Sequence, residues 1–97
     1  MKNISLGDFE KSLASHEPPA GLSLTATALW WAGKAEWNKA HTIVQDLSDS
    51  HAEHIHGFLH RQEGDLSNAR YWYSRAGANF PKISLEEEWK ELVRKSL

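Results

Sequence analysis

Trp37, Ala40, Val44 and Leu47 stand three, four and three residues apart, and Leu66, Ala69, Tyr73 and Ala76 repeat that spacing 29 positions later. Side chains so spaced share one stripe of a 3.6-residue helix but scatter over both faces of a strand, so only a helix buries them together. Recurrence at about 30 residues implies stacked supersecondary units, none of which can bury its apolar face alone. No stretch alternates convincingly with period two, which leaves strands unsupported. The chain reads as all-α.

Breaks divide the helical patterns. In "HEPPAGLS" (16–23) the paired prolines cannot continue a helix, and Glu17 before Pro18 is pushed toward extended geometry. Upstream, Asp8 is placed to cap a short helix of about 8–15, with Phe9 and Leu13 on one face. Downstream, "LSLTATALWWAGK" and "AEWNKAHTIVQDL" predict two helices meeting near Gly33, and Leu22, Ala26 and Leu29 form the stripe of the first. "SDSHAEHIHGFLHRQEG" and "DLSNARYWYSRAG" repeat the arrangement. At the end, Ser84 and Glu87 form a capping box after Pro81, followed by a stripe of Leu85, Trp89, Leu92 and Val93. The expected organisation over 1–97 is one domain: hairpins at about 21–49 and 50–83, with single helices at about 8–15 and 84–96. Ninety-seven residues suit one modest core.

Composition removes several function classes. Hydrophobic residues make up 40% and charged residues 25%, as in ordinary globular proteins. No apolar run approaches the ~20 residues that span a bilayer, and the start, "MKNISLGDFEKSL", lacks the apolar segment of a signal peptide, so the expectation is cytoplasmic with no membrane partner. There is no cysteine, hence no thiolate metal site and no redox motif. A net charge of -2 with scattered signs argues against nucleic acid. G-x-S-x-G, H-E-x-x-H and phosphate-binding glycine loops are all missing, which argues against an enzyme and offers no cofactor. Glu86, Glu87 and Glu88 read as first-turn acids that suit the helix dipole.

Within "EGDLSNARYWYSRAGANFP", Ala69, Tyr73 and Pro81 follow the order Ala, aromatic, Pro, Gly64-Asp65 supplies a turn between two helices, and Gly57 lies in the preceding helix. Over 50–83 this resembles a tetratricopeptide repeat, with Sel1-like repeats a close relative; over 21–49 the likeness is weaker, carried by Ala28, Trp31, Ala40 and Val44. The segment also resembles one shared by small bacterial proteins without an assigned activity. The resemblance implies antiparallel helix hairpins with N- and C-terminal capping helices, and a concave groove lined by the first helix of each repeat. In this chain the groove falls on His51, His54, Phe58, Arg61 and Gln62, with Thr25 and Leu29 from the earlier hairpin. The implied function is a non-enzymatic protein-interaction or assembly module taking an acidic or aromatic peptide, with a homodimer as another way to cover leftover surface.

"HAEHIHGFLH" (51–60) holds four of the six histidines. In the repeat register Glu53, His56 and His60 replace residues that are Trp, Leu and Tyr in the family. His56 and His60, at i and i+4, can chelate a metal from one helix face, with Glu53 as a third ligand. A di-iron bundle would need a second E-x-x-H unit, which the chain lacks; a mononuclear site needs one ligand from elsewhere, for instance His41 or Asp46. The competing reading is a hydrogen-bonding role for buried imidazoles. Of the adjacent aromatics, the register turns Trp31 and Tyr73 inward and leaves Trp30 and Trp72 for a capping helix or a partner surface.

Overall fold

A computed structural model describes residues 4–97, which form six α-helices: α1 (Leu6–Ser12), α2 (Leu24–Gly33), α3 (Trp37–Val44), α4 (Ser50–Glu63), α5 (Leu66–Ala76) and α6 (Leu85–Ser96). Among the described residues there is no strand, and no helix is long and apolar enough to cross a membrane. The all-α expectation holds for these residues.

The 29-residue repeat is written into the backbone of two turns. Between α2 and α3, Glu36 N donates to Trp31 O and Ala35 N to Ala32 O; between α4 and α5, Asp65 N donates to His60 O and Gly64 N to Arg61 O. Each pair in the second turn lies 29 positions after its counterpart. Both turns pass through the left-handed region, at φ 61° on Ala35 and 89° on Gly64. The glycine suits that geometry, whereas the alanine bears a Cβ penalty of about 1–2 kcal/mol, so the second copy carries the better turn residue.

Helix starts follow from short polar side chains. Asp49, Asp65 and Ser84 accept from the backbone N–H groups of Ala52, Asn68 and Glu87, which satisfies donors a helix cannot pair internally. At Ser84 the second half of the box is a side-chain contact, Ser84 Oγ to Glu87 Oε1 at 3.2 Å. The first helix departs from expectation: Ser5 is the cap, its Oγ accepting from Asp8 N at 3.1 Å. Asp8 thus sits inside the first turn, and the helix ends at Ser12, before the predicted 15. An acid in that position still suits the helix N-terminus, so the sequence signal was real but displaced by one turn.

The apolar core joins Phe9, Ala26, Leu29, Trp30, Ala40, Val44, Ile55, Phe58, Leu59, Trp89, Leu92 and Val93. Close approach of α4 and α5 depends on Gly57, where a Cβ would come within 3.2 Å of Tyr73 N and 3.3 Å of Ala69 O. Backbone atoms cannot swing aside, so any side chain there pushes the helices apart. Two apolar stripes are narrower than the sequence pattern suggests: Leu66 and Leu85 lie at helix starts and are exposed. The assignment of the tryptophan pair is reversed at Trp31, which is half-buried, while Trp30 is fully buried and donates from Nε1 to Ser12 Oγ of α1 at 2.9 Å.

Candidate metal centre

Helix α4 presents two polar faces. On one, His56 and His60 are both 5% exposed, one helical turn apart, their rings stacked at 5.0 Å. Helix α3 brings His41 onto them, and His41 Nε2 lies 3.0 Å from His56 Nε2. One of these nitrogens must donate and the other accept, so at least one proton resides between them. The three imidazoles offer ring nitrogens that all lie within 4.8 Å of one another.

Electrostatics favour the neutral forms of His41 and His56. Burial, then the neighbouring His41 and His60, pushes the His56 pKa from 6.5 down to about 4. His41 is likewise lowered by burial and then by His60, against an opposing pull from Glu63. Neutral imidazole is the metal-binding form. His60 Nδ1 lies 2.7 Å from Glu63 Oε2, which fixes that nitrogen as the protonated one, while His60 Nε2 is buried with no hydrogen-bond partner among the described residues. A buried acceptor left unpaired costs about 1–3 kcal/mol. A carboxylate on the far nitrogen of an imidazole is the usual support for a metal-ligating histidine.

Two tryptophans wall the cluster. Trp37 stacks on His41 at 4.7 Å and 12° and anchors its Nε1 on Leu59 O at 2.6 Å. Trp72 stacks on His56 at 3.9 Å and 11°. The sequence reading gave Trp72 to a capping helix or a partner; it lies over the histidines instead, with the Arg75 guanidinium 5.2 Å from its ring.

Glu53, expected as the third ligand, is not in the cluster. Its Oε2 receives Arg75 Nη2 at 3.0 Å and Nε at 3.1 Å. Seven residues of α-helix place Glu53 about 10 Å along the axis from His60, too far to share one ion, and Arg75 of α5 offers the buried carboxylate a forked partner. Of the two outside ligands the sequence offered, His41 takes the position and Asp46, exposed just beyond α3, does not. Glu63 could have been found from the sequence: it is three residues from His60, hence on the same face.

The other face of α4 holds the residues expected to line a groove, and α6 covers it. His54 Nε2 lies 3.3 Å from Glu88 Oε2, and Arg61 donates to Glu88 Oε1 at 2.8 Å and to Ile83 O at 2.6 Å. His51 meets Ser96 Oγ at 2.7 Å. Phe58 is 1% exposed in the core. Leu29 O accepts from Trp89 Nε1 at 2.8 Å, Thr25 is half-buried, and Gln62 alone of the five α4 residues is exposed. His51, His54 and Arg61 therefore do come together, but around a helix of their own chain. Tyr73 completes this cluster, its hydroxyl 2.9 and 2.8 Å from the two Glu88 oxygens. Burial would raise the Glu88 pKa, but hydrogen bonds from His54, Tyr73 and Arg61 outweigh it and hold the carboxyl below its ordinary value. Burial and the bond to Glu88 push the Tyr73 hydroxyl pKa up. Burial and then nearby His54 lower the pKa of His51.

Comparisons with models of known families, with curated proteins and with solved structures found no match for this chain.

Proposed function

We propose that the protein binds a transition-metal ion through His41, His56 and His60, with Glu63 supporting His60 from its Nδ1 side. The observation that carries this reading is the buried His60 Nε2, unpaired among the described residues, beside two further imidazole nitrogens. Three nitrogens without thiolate or ligating carboxylate suit zinc, copper, nickel or cobalt and do not suit magnesium or calcium. Ligand nitrogens around one tetrahedral ion with bonds of about 2.0–2.1 Å stand roughly 3.3 Å apart, so the 3.0 Å between His41 and His56 needs little adjustment. The test is metal content by mass spectrometry after chelator treatment and reloading with zinc: one ion per chain is expected, and none in His56→Ala. A wild-type chain that retains no ion at a tenfold excess of zinc ends the reading.

A second reading is a non-enzymatic, tetratricopeptide-like interaction or assembly module with α1 and α6 as capping helices. It is supported by the matched turns at Ala35 and Gly64 and by the seating of an amphipathic, acidic helix, α6, on the face where such repeats take peptides. In this form the groove serves α6 first, and a protein partner or a second copy would have to use another surface or displace it. Sedimentation at tens of micromolar checks the assembly version, which a purely monomeric chain rules out.

A further inference from the structure

Resting on the metal-binding reading above, we propose that the ion at His41, His56 and His60 keeps one coordination position for an exchangeable small anion, rather than being closed by a fourth protein ligand. Sites with four protein ligands are structural, whereas sites with three leave a position for water or an incoming ligand. Which type this is depends on whether any neighbouring group is available as the fourth.

The nearby carboxylates are each engaged elsewhere. Glu63 Oε2 sits at 2.7 Å on His60 Nδ1, and the two nitrogens of an imidazole point in widely divergent directions, so a group held on Nδ1 does not face an ion on Nε2. Asp65 caps α5, its Oδ1 accepting from Asn68 N at 3.3 Å and from Ser67 Oγ at 3.4 Å. Glu53 is held by Arg75. The remaining walls are the indoles of Trp37 and Trp72, and an indole N–H is a donor only.

Charge and access then select the ligand. Three neutral imidazoles leave a divalent ion with its full charge, and burial strengthens its pull on an anion. His56 and His60 are sealed, but His41 is half-buried, so the open position lies on the His41 side. Hydroxide and azide are the smallest anions that could take such a position.

Cobalt(II) reports coordination through its visible absorption, so the test is to load the intact chain with cobalt(II) and titrate sodium azide. The expected result is one cobalt per chain and a saturable spectral change, retained in Asp65→Asn. Cobalt bound at full stoichiometry with a spectrum indifferent to azide overturns the inference and leaves metal binding standing. An azide response that appears only in Glu63→Gln or Asp65→Asn also overturns it, because a carboxylate then closes the sphere. Failure to take up cobalt or zinc at all is the separate outcome that removes the site itself.

Discussion

The two polar faces of α4 solve the same problem in opposite ways. Around Glu88, a buried acid meets a guanidinium, a hydroxyl and an imidazole, so every buried charge and donor has a partner of opposite character. Around His60, like meets like: three imidazoles converge, two share one proton, and one buried nitrogen has no partner among the described residues. The first cluster is complete as it stands, and its partners tie α4 and α5 to α6. The second leaves one of its buried polar atoms unsatisfied among the described residues. A buried polar group that a fold leaves unsatisfied is a better pointer to a ligand than one that a fold satisfies, and that contrast is the ground for proposing the metal site on the His60 side.

The contrast breaks most sharply at Glu88. Glu88→Ala leaves Arg61 and the Tyr73 hydroxyl without their buried partner, and removal of one member of such a pair costs about 3–5 kcal/mol. In a chain of this size each kcal/mol moves Tm by roughly 4–8 °C, so thermal unfolding by circular dichroism should show a drop of more than ~12 °C; a drop under ~4 °C would make the network ornamental. Zinc acts on the other face. At a hundredfold excess over Kd it should stabilise the wild type by about 2.7 kcal/mol and leave His41→Ala unchanged in urea titrations, whereas equal stabilisation of both would place zinc elsewhere.

A pH titration in chelator separates the clusters by sign and window. His56 has a folded pKa of about 4 against an ordinary 6.5, so as pH falls below 6.5 the unfolded chain takes the proton first. Stability present above pH 6.5 is therefore lost as pH falls toward about 4. Glu88, also lowered, contributes its own loss as pH falls through its depressed folded value. Urea midpoints should decline across pH 6.5 to 4 in the wild type and less steeply in His56→Gln; parallel curves would refute the assignment. The smallest effect distinguishes the two acids. Glu63→Gln should weaken zinc binding roughly tenfold, as loss of a supporting carboxylate does, and Glu53→Gln should leave it unaltered in isothermal titration.

The helices were legible because their causes are local. Ser84 with Glu87 announces a start, Gly64-Asp65 announces a turn, and the spacing of Ala40, Val44, Ala69 and Tyr73 announces which stripe is buried. Asp8 misled by one turn because Ser5 could do the same job earlier. Trp31 misled because the first helix, α1, covers Trp30 and buries it fully, leaving Trp31 half-buried.

The candidate site was half legible, and the division has a physical basis. Periodicity within one helix places His56 and His60 on the same face, so the sequence by itself determined that pair, along with the all-α architecture of the described residues and the repeat of two turns. It carries no information on how far one helix is rotated and slid against another. Only the packing of α3 on α4 decided that His41 joins the pair. Only the position of α5 drew Glu53 to Arg75, and only the return of α6 filled the face on which His51, His54 and Arg61 converge. Those choices are set by contacts between side chains far apart in the chain, among them Gly57 against Tyr73 and Trp89 against Leu29, and no local pattern encodes them.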